Sequence, residues 1–257
     1  MEKIFIKTRK DEKLCVVISE KTSQKGLVFI MHGLGSHKDL PLLKNISQVF
    51  EENNYSVVSF DTTNSSGESD GDLADATLTN YYQDLEDVLV WSKEQGFYQE
   101  PFILVGHSMG GFCVAYYAEN HPKKIKSVAL VSTVVSGLFF EETLHFKEMA
   151  EEWEKKGIRE WESQSQPGVI KRLKWSHVLD RRKYDLLPNI GTLTMPVLLV
   201  AGELDDIIPA QQQELLFNNL PGKNKEINVI KNANHFFGKP EHQEEVKKVF
   251  DRWLKII

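Results

Sequence analysis

The sequence is poor in cysteine and lacks the features of secreted and membrane-spanning chains. Only Cys15 and Cys113 occur in 257 residues, and both lie in apolar runs, so we expect buried free thiols rather than a disulfide. No run of about 18 apolar residues exists, so no membrane span is expected. The first residues, MEKIFIKTRKDEK, have no apolar segment followed by a small-residue cleavage site, so no secretory signal is expected. We therefore predict a cytoplasmic location.

An excess of basic residues is also missing. The chain has 31 Lys and Arg against 37 Asp and Glu, a formal net charge of −6. Nucleic-acid-binding surfaces need clustered positive charge to neutralise phosphates, so no nucleic acid is expected as a partner. Cys and His do not cluster at metal-ligand spacing, so neither a metal nor another cofactor is expected. The oligomeric state is left open, a homodimer included.

Apolar runs alternate with helix-length amphipathic segments along most of the chain. The runs are KLCVVIS (13–19), GLVFIMHG (26–33), YSVVSFD (55–61), PFILVGHS (101–108), IKSVALVST (125–133), MPVLLVAGE (195–203) and KEINVIKNA (225–233). Strands separated by helices form βαβ units. The pattern predicts an α/β fold with a mostly parallel eight-stranded sheet, helices on both faces and room for an antiparallel first pair of strands.

One interval breaks this alternation. About 60 residues separate Thr133 from Met195, more than a crossover needs. LHFKEMAEEWEKKGIREW (144–161) and KRLKWSHVLDRRKYDLL (171–187) have helical patterns, with the loop SQSQPG (163–168) between them. We therefore predict a helical cap at 137–188, inserted into an α/β core of 1–136 and 189–257.

The cap is rich in aromatic side chains. Ligands of open α/β sheets bind beyond the carboxyl ends of the strands, so some of these side chains should line a pocket, although most can simply pack the cap's own core. The candidates are Phe139, Phe140, Phe146, Trp153, Trp161 and Trp175. They favour an apolar or aromatic substrate of modest size.

VGHSMGG (105–111) ends an apolar run and opens a helix. Gly-x-Ser-x-Gly alone is a weak signal, but in this position it is typical of a turn that holds a serine in a strained, exposed conformation. Free N–H groups and the positive dipole end of the helix then lie beneath the reacting oxygen. We interpret Ser108 as a nucleophile.

A serine hydroxyl needs a base and an orienting carboxylate, in the chain order Ser, acid, His. His235 lies in the loop before the last helix and is the predicted base. Glu203, Asp205 and Asp206 are candidate acids; Asp205 is preferred because it lies beyond the strand end and before the Pro209 helix start. The remaining histidines near these motifs, His32 and His107, are expected to hold neighbouring loops.

Acyl transfer also needs donors for the oxyanion of the tetrahedral intermediate. In MHGLGSHKD (31–39), two glycines permit a sharp turn that can direct the amide of Leu34 into the site. The amide of Met109, at the head of the helix, is the predicted second donor.

Taken together, HGLG, GHSMGG, AGELDDIIP and NANHFF resemble, in order, the oxyanion, nucleophile, acid and histidine segments of α/β-hydrolase-fold serine hydrolases. The resemblance covers nearly the whole chain and is strongest to small carboxylesterases of the cinnamoyl or feruloyl esterase and monoglyceride-lipase-like branches. It implies a carboxylesterase that acts on a small-molecule ester.

Ser108 argues against dehalogenases and epoxide hydrolases, which use an aspartate nucleophile. Monoacylglycerol lipases, thioesterases, carbon–carbon bond hydrolases and cofactor-free perhydrolases share the same residues and remain alternatives. A non-catalytic ligand-binding protein of the same fold is the alternative of a different class; labelling by a serine-directed fluorophosphonate distinguishes it from an enzyme.

Overall fold

The fold is built on a large sheet, as seen in a computed structural model that describes residues 1–163 and 168–257. Its strands are β1 (Glu2–Lys7), β2 (Lys13–Ser19), β3 (Leu27–Met31), β4 (Ser56–Phe60), β5 (Phe102–His107), β6 (Ile125–Val131), β9 (Val197–Gly202) and β10 (Lys225–Ile230). They lie in the order β1-β2-β4-β3-β5-β6-β9-β10. β2 pairs antiparallel with both β1 and β4, and the other pairs are parallel. The predicted α/β fold with a mostly parallel eight-stranded sheet is confirmed.

Helices cover both faces of this sheet. They are α1 (Pro41–Glu52), α2 (Leu78–Ser92), α3 (Met109–Asn120), α7 (Ala210–Asn219) and α8 (Pro240–Trp253). Alternation along the buried strands separates two apolar layers: Phe29 of β3 packs with α2 and α3, whereas Ile30 packs with α1 and α8. Cys15 and Cys113 are buried and free.

The segment between β6 and β9 differs from the predicted cap. It contains α4 (Gly137–Glu141), α5 (Leu144–Lys156), the hairpin β7 (Ile158–Glu162) and β8 (Ile170–Lys174), and α6 (Ser176–Arg181). The helical interpretation of 171–187 is therefore wrong over β8 and correct over α6. The helical interpretation of 144–161 is wrong as well from Ile158 onward, because Gly157, with a φ of +72°, caps α5 and β7 follows.

The chain enters and leaves this segment side by side. Ser136 and Asp185 form an isolated bridge, and the amide of Gly137 donates to the carbonyl of Tyr184 at 2.9 Å. This closure lies near the predicted limits of 137–188, although the division into core and cap stays a prediction. The predicted loop SQSQPG falls largely on 164–167, outside the described residues. Within the part of the chain that the structure describes, no helix is both long and apolar enough to cross a membrane.

Candidate active site

Ser108 lies at a sharp turn between β5 and α3. Its φ of 55° and ψ of −119° are a conformation that side-chain-bearing residues rarely adopt. The strand and helix approach closely enough that a Cβ on Gly106 would collide with the backbone of Gly110, and one on Gly110 with the carbonyl of His32. The glycines of this motif are therefore required for the turn that presents the serine.

Two other predicted residues meet Ser108 although they are distant in sequence. The Ser108 Oγ lies 3.0 Å from Nε2 of His235, and Nδ1 of His235 lies 2.8 Å from Oδ2 of Asp205. The carboxylate can only accept, so His235 donates through Nδ1–H and accepts the serine hydroxyl through Nε2. His235 and Asp205 are almost fully buried. This chain of hydrogen bonds can remove a proton from the serine.

The surroundings of Asp205 keep it ionised. Burial raises its pKa, but the hydrogen bond and charge of His235 and the amide of Ile208 outweigh burial, so the pKa lies below its usual value. Oδ1 accepts from the amides of Ile207 at 3.1 Å and Ile208 at 2.8 Å. The two other candidate acids are exposed, and one of them, Glu203, accepts from the amide of Asn232.

Both predicted oxyanion donors border the same cavity as Ser108. Met109 is the first residue of α3, where N–H groups have no intrahelical acceptor. Leu34 lies in a turn fixed by His32, which donates from Nδ1 to the Gly33 carbonyl at 2.8 Å and accepts the Thr62 amide at Nε2. Burial lowers the pKa of His32 to about 4, so the ring is neutral and serves to hold this turn.

His107 has a comparable role toward the base. Its Nε2–H donates to the backbone carbonyl of His235 at 2.9 Å. Burial, with a smaller effect from His235, lowers the pKa of His107 to about 3. The neutral ring therefore ties the loop of His235 to the strand end that precedes Ser108. The two residues are far apart in sequence, and no sequence signal indicates this particular contact.

A cavity of about 620 Å³ opens beside Ser108 and is roofed by the segment between β6 and β9. Of the aromatic candidates, Phe140, Trp153 and Trp161 line it. The other three do not belong to its wall: Phe139, Phe146 and Trp175. Phe146 instead packs against three aromatic rings of the cap, with centroid distances of 5.9 to 6.4 Å. For Phe146 and Trp175, mutual aromatic packing takes the place of the predicted pocket role.

The sequence analysis missed the polar and charged part of the cavity wall. Arg159, Lys171 and Arg181 line it, as do His145 and His177. Arg159 and Lys171 lie on the hairpin that was interpreted as helical or loop, so their common face could not be inferred.

A separate acidic cluster lies away from the cavity. Cys15, Asp61 and Glu68 are close enough to share a metal ion. However, Nζ of Lys38 lies 3.0 Å from Asp61 and 2.8 Å from Glu68, and already supplies a positive charge there. The Lys38 and Glu68 amides also donate to Asp61. The cluster therefore joins the loops that follow β3 and β4.

The match to known proteins agrees with this geometry. A family model described as the α/β hydrolase fold matches residues 26–170, more than half of the chain. The chain therefore belongs to the α/β hydrolase fold family, and its relatives carry the names of thioesterases and lipases.

Three relatives illustrate the range of those names. The chain is 26% identical over 169 residues to the mitochondrial palmitoyl-protein thioesterase ABHD10 of Bos taurus. The matched region is 66% of this chain and about half (54%) of that protein. It is 24% identical to the monoacylglycerol lipase abhd6-B of Xenopus laevis, covering 87% and 74% of the two chains. The structure of Est1E from Butyrivibrio proteoclasticus with bound ferulic acid superposes with a TM-score of 0.80 at 19% identity, covering 98% and 97%.

Proposed function

We propose that the protein is a serine esterase that cleaves carboxylic esters of small apolar or aromatic substrates through an acyl-enzyme on Ser108. The observation that carries this proposal is the hydrogen-bonded chain Ser108–His235–Asp205, of which Ser108 and His235 line a cavity of about 620 Å³. An imidazole held between a carboxylate and a hydroxyl is the arrangement that activates a serine.

In the first half-reaction, Ser108 Oγ attacks the ester carbonyl carbon while its proton passes to Nε2 of His235. The carbonyl electron pair becomes an oxyanion, which accepts hydrogen bonds from the amides of Leu34 and Met109. When the intermediate collapses, the carbon–oxygen bond to the alcohol breaks and the imidazolium returns the proton to the leaving alcohol. Asp205 holds the tautomer and stabilises the imidazolium charge.

In the second half-reaction, water replaces the alcohol. His235 takes a proton from the water, the resulting tetrahedral intermediate expels Ser108, and the serine recovers its proton from the imidazolium. The acid is released. Each proton that leaves an attacking oxygen is returned to a departing one, so the residues of this chain account for the whole cycle.

The test is hydrolysis of a chain-length series of 4-nitrophenyl esters and a methyl hydroxycinnamate. Ser108→Ala should lower kcat at least about 1,000-fold, because the nucleophile is lost while the fold is retained. Circular dichroism checks folding, and a fluorophosphonate should label the wild type only. Activity near the wild-type level in the variant would remove Ser108 from the mechanism.

A thioesterase is the second candidate, because the bovine relative is named as one and the same residues can cleave a thioester. Acyl-coenzyme A compared with the matched oxygen ester measures this preference. The lipase and carbon–carbon bond hydrolase alternatives are tested by adding a monoacylglycerol and a vinylogous diketone to the same assay.

A further inference from the structure

The cap hairpin turns one face toward the cavity. In its register Arg159 of β7 lies opposite Leu173 of β8, and Trp161 lies opposite Lys171; all four line the cavity. Of the alternate residues, Arg172 and Glu160 do not line the cavity and pair with each other at 2.6 Å. Two cationic and two apolar side chains therefore share the face above Ser108.

Arg181 of α6 adds a buried cation to the same wall. Its side chain is 4% exposed, and its guanidinium lies 4.1 Å from the ring centroid of Phe140. Nε and Nη2 have no hydrogen-bond partner among the described residues. These two atoms form one edge of the guanidinium, the edge that grips a carboxylate through two parallel hydrogen bonds.

In Arg182, the next residue, the same edge of the guanidinium is fully hydrogen-bonded. Nε and Nη2 of Arg182 donate to the two carboxylate oxygens of Glu141 at 2.7 and 3.0 Å. Glu141 is therefore already occupied by Arg182 and does not satisfy the edge of Arg181. A buried cation without a paired anion is unfavourable, which calls for an anion from elsewhere.

The cavity wall also carries more positive than negative side chains. Arg159, Lys171 and Arg181 are balanced by one carboxylate, Glu162, which accepts from the amide of Gly168. Burial lowers the pKa of His145, which also lines the wall. The cavity is thus locally cationic in a chain of net charge −6.

We propose that the natural ester carries a carboxylate, which Arg181 binds together with Arg159 while the ester group lies at Ser108. Nε and Nη2 are themselves buried, so carboxylate binding requires a turn about the outer side-chain bonds of Arg181, which already forms part of the cavity wall. The aromatic rings around it contact the apolar part of the substrate. This proposal rests on the esterase function proposed above and specifies its substrate class.

Binding is measured first, in Ser108→Ala so that nothing is hydrolysed. Isothermal titration calorimetry compares monomethyl adipate, which carries one carboxylate, with neutral dimethyl adipate. The anion should bind about 10- to 100-fold more tightly, the range for hydrogen bonds to a charged group, and adding Arg181→Met should remove the preference. Arg182→Met is the matched control and should retain it. Equal binding of the two esters overturns the proposal.

The half-buried Arg159 supplies a second variant in case Arg181→Met does not fold. Arg159→Met should lower the preference for the anion at least about threefold, because one of the two proposed contacts is lost. If a folded Arg159→Met and a folded Arg181→Met both leave the preference unchanged, the assignment of these residues is wrong.

Turnover separates this proposal from the esterase proposal. Mono-4-nitrophenyl adipate is 4-nitrophenyl hexanoate with a carboxylate in place of the terminal methyl group. Hydrolysis of both esters with equal kcat/KM supports the esterase proposal and rejects the proposed preference for a carboxylate. Selective binding of monomethyl adipate with hydrolysis of neither ester supports the carboxylate site and rejects the esterase.

Discussion

Asp205 is held at three points, by the imidazole of His235 and by the amides of Ile207 and Ile208. The two amides fix one carboxylate oxygen, so the other is directed at Nδ1 of His235. The carboxylate therefore determines both the position of the ring and the nitrogen that carries its proton.

Asp205→Asn should lower kcat about 1,000- to 10,000-fold, because an amide can donate to Nδ1 and favour the wrong tautomer. The measurement is steady-state hydrolysis of a 4-nitrophenyl ester. Asp206→Asn is the control, since Asp206 is the exposed neighbour, and it should keep activity within about twofold. The reverse order would assign the acid to Asp206.

The sequence identifies some residues of the candidate site more clearly than others. Ser108 is defined by its glycines and by the strand before it, and His235 by its place before the last helix. The acid is less sharply defined because three carboxylates follow β9 within four residues. Burial and the backbone turn that brings the Ile207 and Ile208 amides to Asp205 distinguish it, and neither can be read from spacing.

At the scale of single elements, α3 carries a buried carboxyl group that takes no part in the candidate site. Glu119 is 6% exposed, and neither of its oxygens has a hydrogen-bond partner among the described residues. Burial, with a smaller effect from Asp185, raises the pKa of Glu119 to about 8. The folded protein therefore keeps this group protonated at pH values where the unfolded chain has released the proton.

Between about pH 4.5 and pH 8 the folded state binds one proton more than the unfolded state, so this group removes stability as pH rises. Glu119→Gln should abolish that loss. As pH rises from 5 to 8.5, the free energy of unfolding of the variant should increase by about 2–4 kcal/mol relative to that of the wild type, given about 1.4 kcal/mol per pKa unit. Urea unfolding at several pH values measures it.

The control for this experiment is Glu94→Gln, at an exposed position in the turn after α2. Its stability should follow the wild-type pH profile. If the free energy of unfolding of Glu119→Gln has the same pH dependence as that of the wild type, Glu119 is ionised in the folded protein and the interpretation of its burial is wrong.

The cap hairpin shows why one element was not predicted. Phe146, Met149 and Trp153 have helical spacing, and Trp161 continues it by coincidence. Gly157 ends the helix in a left-handed conformation. The following strands are only five residues long, and their alternation of inner Arg159 and Trp161 with outer Glu160 becomes clear only once the cavity is known.

For the molecule as a whole, the strands were predicted well because a buried parallel strand is apolar throughout. Val28 to Met31 are all buried, so β3 is evident from its composition. The order β4-β3-β5 across the sheet is not encoded in any local pattern, since it depends on how successive crossovers pack. The same holds for the tie between His107 and His235.

The strain at Ser108 lowers the free energy of unfolding of the entire protein. A side chain in this conformation costs about 1–3 kcal/mol, which Ser108→Gly should relieve and Ser108→Ala should not. Glycine's greater freedom in the unfolded chain offsets about 0.4–1 kcal/mol of this gain. Ser108→Gly should therefore be about 1 kcal/mol more stable than Ser108→Ala.

For a chain of this size, 1 kcal/mol corresponds to a rise in Tm of about 2–4 °C. Thermal unfolding of the two Ser108 variants, followed by circular dichroism, makes the comparison. An alanine variant that is as stable as the glycine variant would mean that the turn carries no such strain.

Lys171 reaches from the cap hairpin to the core, where its Nζ donates to the carbonyl of Gly35 at 2.6 Å. Gly35 directly follows Leu34, whose amide is a proposed oxyanion donor. A single hydrogen bond therefore links the roof of the cavity to the turn on which the oxyanion would form. If the proposed esterase mechanism holds, a change in the roof that improves the fit of a new ester will also alter the rate of the chemical step.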